Sequence, residues 1–169
     1  MNPTPSLSSK ALQISTPTDT TIVLTREFNA PRRLLWEAMF TPDRMRRWML
    51  PPPGWTISSL ECDPRVGGAV ELAWKSEEAD PAMTLRGVFT EVVVHEWAVH
   101  TEMMATGSGE RVGSLLEKHE FSEQGGVTTM RITQTYASKE ARDGALASGM
   151  DEGMEACHKK LEALLVQPG

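Results

Sequence analysis

Apolar and polar positions alternate along most of this chain, and only the C-terminal stretch changes period. From Thr21 to Phe28 the residues Ile22, Leu24 and Phe28 fall on one row, which predicts a β-strand, although Arg26 interrupts that row. Asn29-Ala30-Pro31 ends the strand. Leu34, Leu35, Ala38 and Met39 then recur at helical spacing, with the proline at the first turn, where its missing N–H costs nothing. This short helix stops near Thr41-Pro42, a second one carries Asp43 to Trp48, and Pro51-Pro52-Pro53-Gly54 terminates it. Strands are predicted at Trp55 to Cys62, Gly67 to Lys75, Met83 to Val94, Trp97 to Met104, Gly113 to Phe121 and Val127 to Tyr136. With the first strand that makes seven, and their short connections imply antiparallel pairing.

Near Ser138 the period shifts from two to 3.6. Ser138 suits an N-cap, and Leu146, Met150, Met154, Cys157, Leu161 and Leu165 form an apolar stripe on a predicted helix of roughly 25 residues. Asp151, Glu155, Lys159 and Glu162 are assigned to its solvent face. Gly144, Gly149 and Gly153 are poor helix residues, so either something packs close to them or the first half of the helix is looser. The expected architecture is an α+β helix-grip: a curved seven-stranded sheet wrapped around a long C-terminal helix, with two short helices after the first strand. Residues 1–19 are polar and rich in Ser, Thr and Pro and are expected to be a mobile tail; residues 20–166 form the domain.

Composition narrows the function. A net charge of −6 leaves no basic field for nucleic acid or an anionic membrane. No apolar run is long enough to span a bilayer and the N-terminal stretch has no signal-peptide core, so a cytoplasmic location is expected. Cys62 and Cys157 stand apart and are expected to be reduced thiols. Five Trp against one Tyr, with ten Met, supply large and adaptable side chains suited to an irregular pocket as well as to a core.

Several strings, in order, resemble one family. They are Asn29-Ala30-Pro31 through Leu35-Trp36-Glu37-Ala38; Arg47-Trp48-Met49; Asp63-Pro64-Arg65-Val66-Gly67-Gly68; Gly87 and Glu91-Val92; the Gly-rich turn before Thr128-Thr129-Met130; and Gly149-Met150-Asp151-Glu152-Gly153-Met154, ending in Leu161. Together they resemble the bacterial proteins similar to the C-terminal domain of the activator of the heat-shock protein 90 ATPase, within the START-like (SRPBCC), birch-pollen-allergen-like superfamily. The resemblance spans about residues 20 to 165 and implies the helix-grip fold that the element count also gives. It also implies a link to stress response. Met154 stands where the family commonly has Trp, and His158 where it commonly has Leu. The eukaryotic activators carry an additional N-terminal domain that helps engage the chaperone; here a polar tail precedes the fold, which favours ligand binding over chaperone activation.

A concave sheet closed by a helix leaves a pocket, so the leading expectation is non-catalytic binding of a small, mostly apolar molecule. Trp48, Trp55, Trp74, Phe89, Met130, Ile132, Met150 and Met154 are the candidate lining, and His100, His119 and His158 the candidate polar contacts. Alternatives are a chaperone-interacting module and an enzyme of the cyclase or hydrolase sort that uses a cavity histidine. No G-x-S-x-G elbow or phosphate loop occurs, and Arg65-Val66-Gly67-Gly68 leads into a strand and reads as a hairpin. His100 shares a row with Ala98, Glu102 and Met104, and His119 with Leu115, Glu117 and Phe121; no histidines have the spacing of a metal pair, so no metal or cofactor is expected. Arg44, Arg46 and Arg47 are either a solvated face or, since the resemblance implies that their helix lies near the cavity mouth, a contact for an anionic head group. The chain is expected as a monomer or homodimer.

Overall fold

A computed structural model describes residues 11–166. Eight strands form one antiparallel sheet in the order β1-β2-β8-β7-β6-β5-β4-β3. They are β1 Gln13–Ser15, β2 Thr21–Phe28, β3 Thr56–Cys62, β4 Ala69–Lys75, β5 Met83–Val93, β6 Trp97–Thr106, β7 Arg111–Gln124 and β8 Val127–Tyr136. Helices α1 Arg32–Phe40 and α2 Pro42–Trp48 lie between β2 and β3; α3 Lys139–Ala147 and α4 Met150–Leu165 follow β8. The α+β class, the curved antiparallel sheet and the two short helices agree with the helix-grip expectation.

Two features differ from the sequence reading. The eighth strand lies where a tail was expected: Gln13, Ile14 and Ser15 pair with Thr25, Leu24 and Val23 of β2. Three residues are too few to show a period. The remainder of that predicted tail, residues 1–10, lies outside the described residues. The long C-terminal helix is also two helices. Gly149 takes φ 79°, a left-handed conformation that ends a helix, and it serves as N-cap of α4. Ser138 does cap α3, its hydroxyl accepting from the Ala141 N–H at 3.1 Å.

The core lies between the concave sheet face and helices α1, α2 and α4. Ile22, Leu24 and Phe28 of β2 pack there with Leu35, Trp36 and Phe40 of α1, Trp48 of α2, Phe89 of β5, Ile132 of β8 and Leu161 of α4. Arg26, the residue that interrupts the β2 row, is buried in the same row. Its guanidinium meets Glu155 at 3.4 Å and Glu162 at 3.3 Å, and stacks on Phe28 at 5.1 Å. Glu155 also accepts from the Leu12 N–H at 3.0 Å, so one carboxylate holds both the β1 edge and the β2 guanidinium. Glu155 and Glu162 are therefore not on a solvated face, as the sequence suggested. Each directly follows a residue of the apolar stripe, Met154 and Leu161, and reaches across to Arg26 of the sheet. Where Gly87 stands on β5, a Cβ would fall 1.7 Å from the Thr101 carbonyl oxygen, so a glycine there lets β5 run close beside β6.

Candidate functional site

The register of three strands assembles the site. His100 of β6 lies opposite Glu117 of β7, which lies opposite Gln134 of β8; Ala98 lies opposite His119, and His119 opposite Ile132. Side chains two apart on a strand share a face. His100 and Glu102 therefore point the same way, as do Glu117 and His119, and the four form a polar island on the concave, largely apolar face.

Hydrogen bonds hold the island in one arrangement. Gln134 Nε2 donates to Glu117 Oε2 at 2.7 Å, and the Tyr136 hydroxyl donates to Gln134 Oε1 at 2.9 Å. The other carboxylate oxygen, Glu117 Oε1, lies 2.8 Å from His119 Nε2 and 3.8 Å from His100 Nε2. His100 Nδ1 lies 3.3 Å from the Thr101 carbonyl oxygen, which only accepts, so this nitrogen carries the proton and Nε2 presents a lone pair. Glu102 Oε1 is 3.8 Å from the same Nδ1.

The two carboxyl groups are driven apart. Burial alone would raise Glu117, but the charge and hydrogen bond of His119, the charge of His100 and the Gln134 amide outweigh it and hold the group at about 2. Burial, and then the Glu117 charge, push Glu102 well above the usual carboxylate range. His100 is lowered, chiefly by burial and further by His119, against the pull of Glu117 and the Thr101 carbonyl. Tyr136 is pushed up to about 12 by burial and the two carboxyl groups, which keeps its hydroxyl a donor. Cys62, raised to about 12 by burial and Asp63, is an inert thiol.

Two adjoining cavities open over this island. One, of about 100 Å³, is lined by Phe40, Met45, Cys62, Val70, Leu72, Leu85, Phe89 and His100 together with shared residues. The other, of about 320 Å³, is lined by Leu50, Trp74, Ile132, Gln134, Met150, Gly153, Met154, Cys157 and His158. Met39, Trp48, Met49, Glu102, Glu117 and His119 belong to both walls. Of the candidate residues, Trp48, Trp74, Phe89, His100, His119, Ile132, Met150, Met154 and His158 are thus brought to the cavity walls. Met130 is packed in the core and Trp55 lies just before β3; neither is among these lining residues. Arg44 and Arg47 line a separate hollow of about 380 Å³ with Leu164 and Leu165, and Arg44 pairs with Glu37 at 3.6 Å.

His158 is 1% exposed, and neither ring nitrogen has a hydrogen-bond partner among the described residues. It sits instead against the rings of Phe28 at 5.8 Å and Trp48 at 6.4 Å. Sequence reasoning found the histidines and missed Glu102, Glu117 and Gln134. The signal was present, since each histidine row contains one of the glutamates, but only the β6–β7–β8 register joins the rows.

Comparison with known proteins places this geometry. The family described as Activator of Hsp90 ATPase homolog 1-like protein matches residues 29–166. A solved protein of Rhodobacter sphaeroides is similar at 25% identity and a TM-score of 0.79, over 91% of this chain and 97% of its own. One of Mycobacterium smegmatis matches at 23% identity and a TM-score of 0.79, over 95% and 99%. A third, of Nitrosomonas europaea, matches at 22% identity and a TM-score of 0.74, over 89% and 97%. No curated protein matches the chain. Among the described residues no helix is long and apolar enough to cross a membrane.

Proposed function

The chain belongs to the Activator of Hsp90 ATPase homolog 1-like family, and within that fold we propose that it binds, without transforming it, a small molecule with an apolar body and one hydrogen-bond-donating end. The observation that carries this reading is the buried Glu117 carboxylate at the base of cavities walled by Trp, Met, Phe and Leu side chains. A cavity of about 320 Å³ falls within the range that takes small ligands. An apolar body would replace water against Trp48, Trp74, Met150 and Met154, and a hydroxyl or amine would meet the carboxylate.

Trp48 and Trp74 make the test direct. Titration with a panel of fatty acids, flavonoids and steroids is expected to shift tryptophan emission and raise the melting temperature for at least one class, because a ligand that binds only the native state stabilises it. Met154→Trp fills the cavity, and it is expected to weaken that ligand about tenfold or more, equivalent to about 1.4 kcal/mol. A panel that leaves both emission and melting temperature unchanged, or a ligand indifferent to Met154→Trp, counts against the reading.

A second reading is an enzyme of the cyclase or hydrolase sort. It rests on the opposed displacement of Glu102 and Glu117, which would divide acid and base roles between them. Recovery of the bound ligand chemically unchanged after prolonged incubation separates binding from turnover. The family membership also suggests chaperone interaction in general, and such a contact would be indifferent to Met154→Trp.

A further inference from the structure

We propose that His100, Glu117 and His119 form a binding site for one divalent transition-metal ion of the zinc class, with its open side toward the cavity. The site goes beyond the ligand-binding reading and shares Glu117 with it, so its test uses the metal alone.

The donor atoms are already gathered. One ligand atom from each of His100, Glu117 and His119 lies within 4.8 Å of the others, and all three residues are buried. Around an ion bound at about 2.0–2.2 Å in tetrahedral geometry, donors lie roughly 3.3 Å apart. The separations of 2.8 Å and 3.8 Å from Glu117 Oε1 to the two imidazole Nε2 atoms bracket that value. Small side-chain rotations would close the difference.

The lone pairs also point the right way. His100 Nδ1–H is committed to the Thr101 carbonyl, so Nε2 carries a lone pair 3.8 Å from Glu117 Oε1, which is itself only an acceptor. Two acceptors facing each other repel unless a cation or a proton lies between them. Metal-ligating imidazoles are usually oriented by a carbonyl on the far nitrogen, and ligating carboxylates by a donor on the far oxygen. Both supports are present: the Thr101 carbonyl behind His100, and the Gln134 amide, itself held by Tyr136, behind Glu117. His119 is less well supported. Its Nε2 donates to Glu117 and gives up that proton when a metal enters, while its buried Nδ1 has no partner among the described residues.

Two imidazoles and one carboxylate suit zinc and its first-row neighbours rather than calcium or magnesium, which prefer all-oxygen sites. The shared cavity wall contains Glu117 and His119, so a fourth position facing it would be open to water or to a ligand's polar end.

The experiment is calorimetric titration of the untagged, chelator-stripped chain with Zn²⁺ and no organic ligand present, paired with Co²⁺ titration followed by visible absorption. One equivalent of Zn²⁺ is expected to bind and to raise the melting temperature, and Co²⁺ is expected to give the intense visible bands of a low-coordinate site. His100→Ala and His119→Ala are expected to abolish both signals. Gln134→Leu, which removes only the carboxylate's support, is expected to weaken binding about 10–100-fold. Should the ligand variants fail to fold, the Gln134→Leu affinity and the Co²⁺ spectrum of the unaltered chain still decide. His95→Ala, in the β5–β6 turn, is expected to leave the Zn²⁺ affinity and the Co²⁺ spectrum unchanged. No heat, no stabilisation and no Co²⁺ spectrum would overturn the proposal, as would binding that survives His100→Ala and His119→Ala or is lost in His95→Ala. Because no organic ligand is present, failure of this titration is distinguishable from failure of the apolar-ligand panel.

Discussion

Replacing Glu155 and Glu162 together by alanine is expected to destabilise the fold by about 3–5 kcal/mol, the usual cost of stranding a buried charge. Arg26 is buried on β2 and its guanidinium meets both carboxylates of α4, while its Nη1 already has no hydrogen-bond partner among the described residues. The glutamates are partly exposed, at 20% and 26%, so they keep contact with water while the arginine does not. Removing them leaves the cation in the core against Phe28 with the stacking contact alone. Urea unfolding at neutral pH measures the loss. Adding Arg26→Met to the double variant is expected to restore most of it, because an apolar chain of similar volume needs no counter-charge. A loss below about 1 kcal/mol in the double variant would mean that water reaches the guanidinium.

His158→Leu is expected to act in the opposite direction. An imidazole with both nitrogens unpartnered in the core costs the native state about 1–3 kcal/mol, which leucine would not incur. The gain should also depend on pH. Burial first, then the Arg26 guanidinium of β2 and His119 of β7, lower His158 to about 3, against a smaller opposing pull from Glu117. The native state therefore binds fewer protons than the unfolded chain between about pH 3 and the ordinary imidazole value of 6.5. Above 6.5 the residue imposes no pH dependence; below it, the natural chain loses about 1.4 kcal/mol per pH unit that the leucine variant retains. The advantage of His158→Leu should thus widen by about 2 kcal/mol from pH 6.5 to pH 5. Unfolding curves at both pH values, taken with chelator present, check this; parallel loss in the two proteins would contradict the burial of a neutral imidazole.

The elements of the fold were legible because period is a local property. The change near Ser138, the proline-bounded pair of helices and the alternating strands each declare themselves within a short window. The break at Gly149 was half-legible: three glycines signalled a weak helix, but which of them turns left-handed depends on how α4 docks. The β1 strand was not legible, since a three-residue edge strand is defined by its partner. The site divides in the same way. Burial of His100, His119 and His158 followed from their rows, whereas the pairing of His100 with Glu117 depends on β6–β7 register, which lies outside any one strand's sequence. Glu155 and Glu162 misled because charge on a helix usually means solvent; the Arg26 irregularity in β2 was the matching half of the pair, more than a hundred positions away.

The strand order has a consequence for how the chain is made. Each strand from β3 to β8 lies beside its sequence neighbour and can zip up as it leaves the ribosome, but β2 pairs with β8, Thr21 meeting Thr135 and Phe28 meeting Thr128. During synthesis the row carrying Ile22, Leu24 and Phe28 has only the three-residue β1 beside it until the last strand has emerged. Closure of that long loop is the natural rate-limiting event of folding, since non-local pairing is slow. The β2 edge that waits for β8 is exposed to aggregation in the meantime.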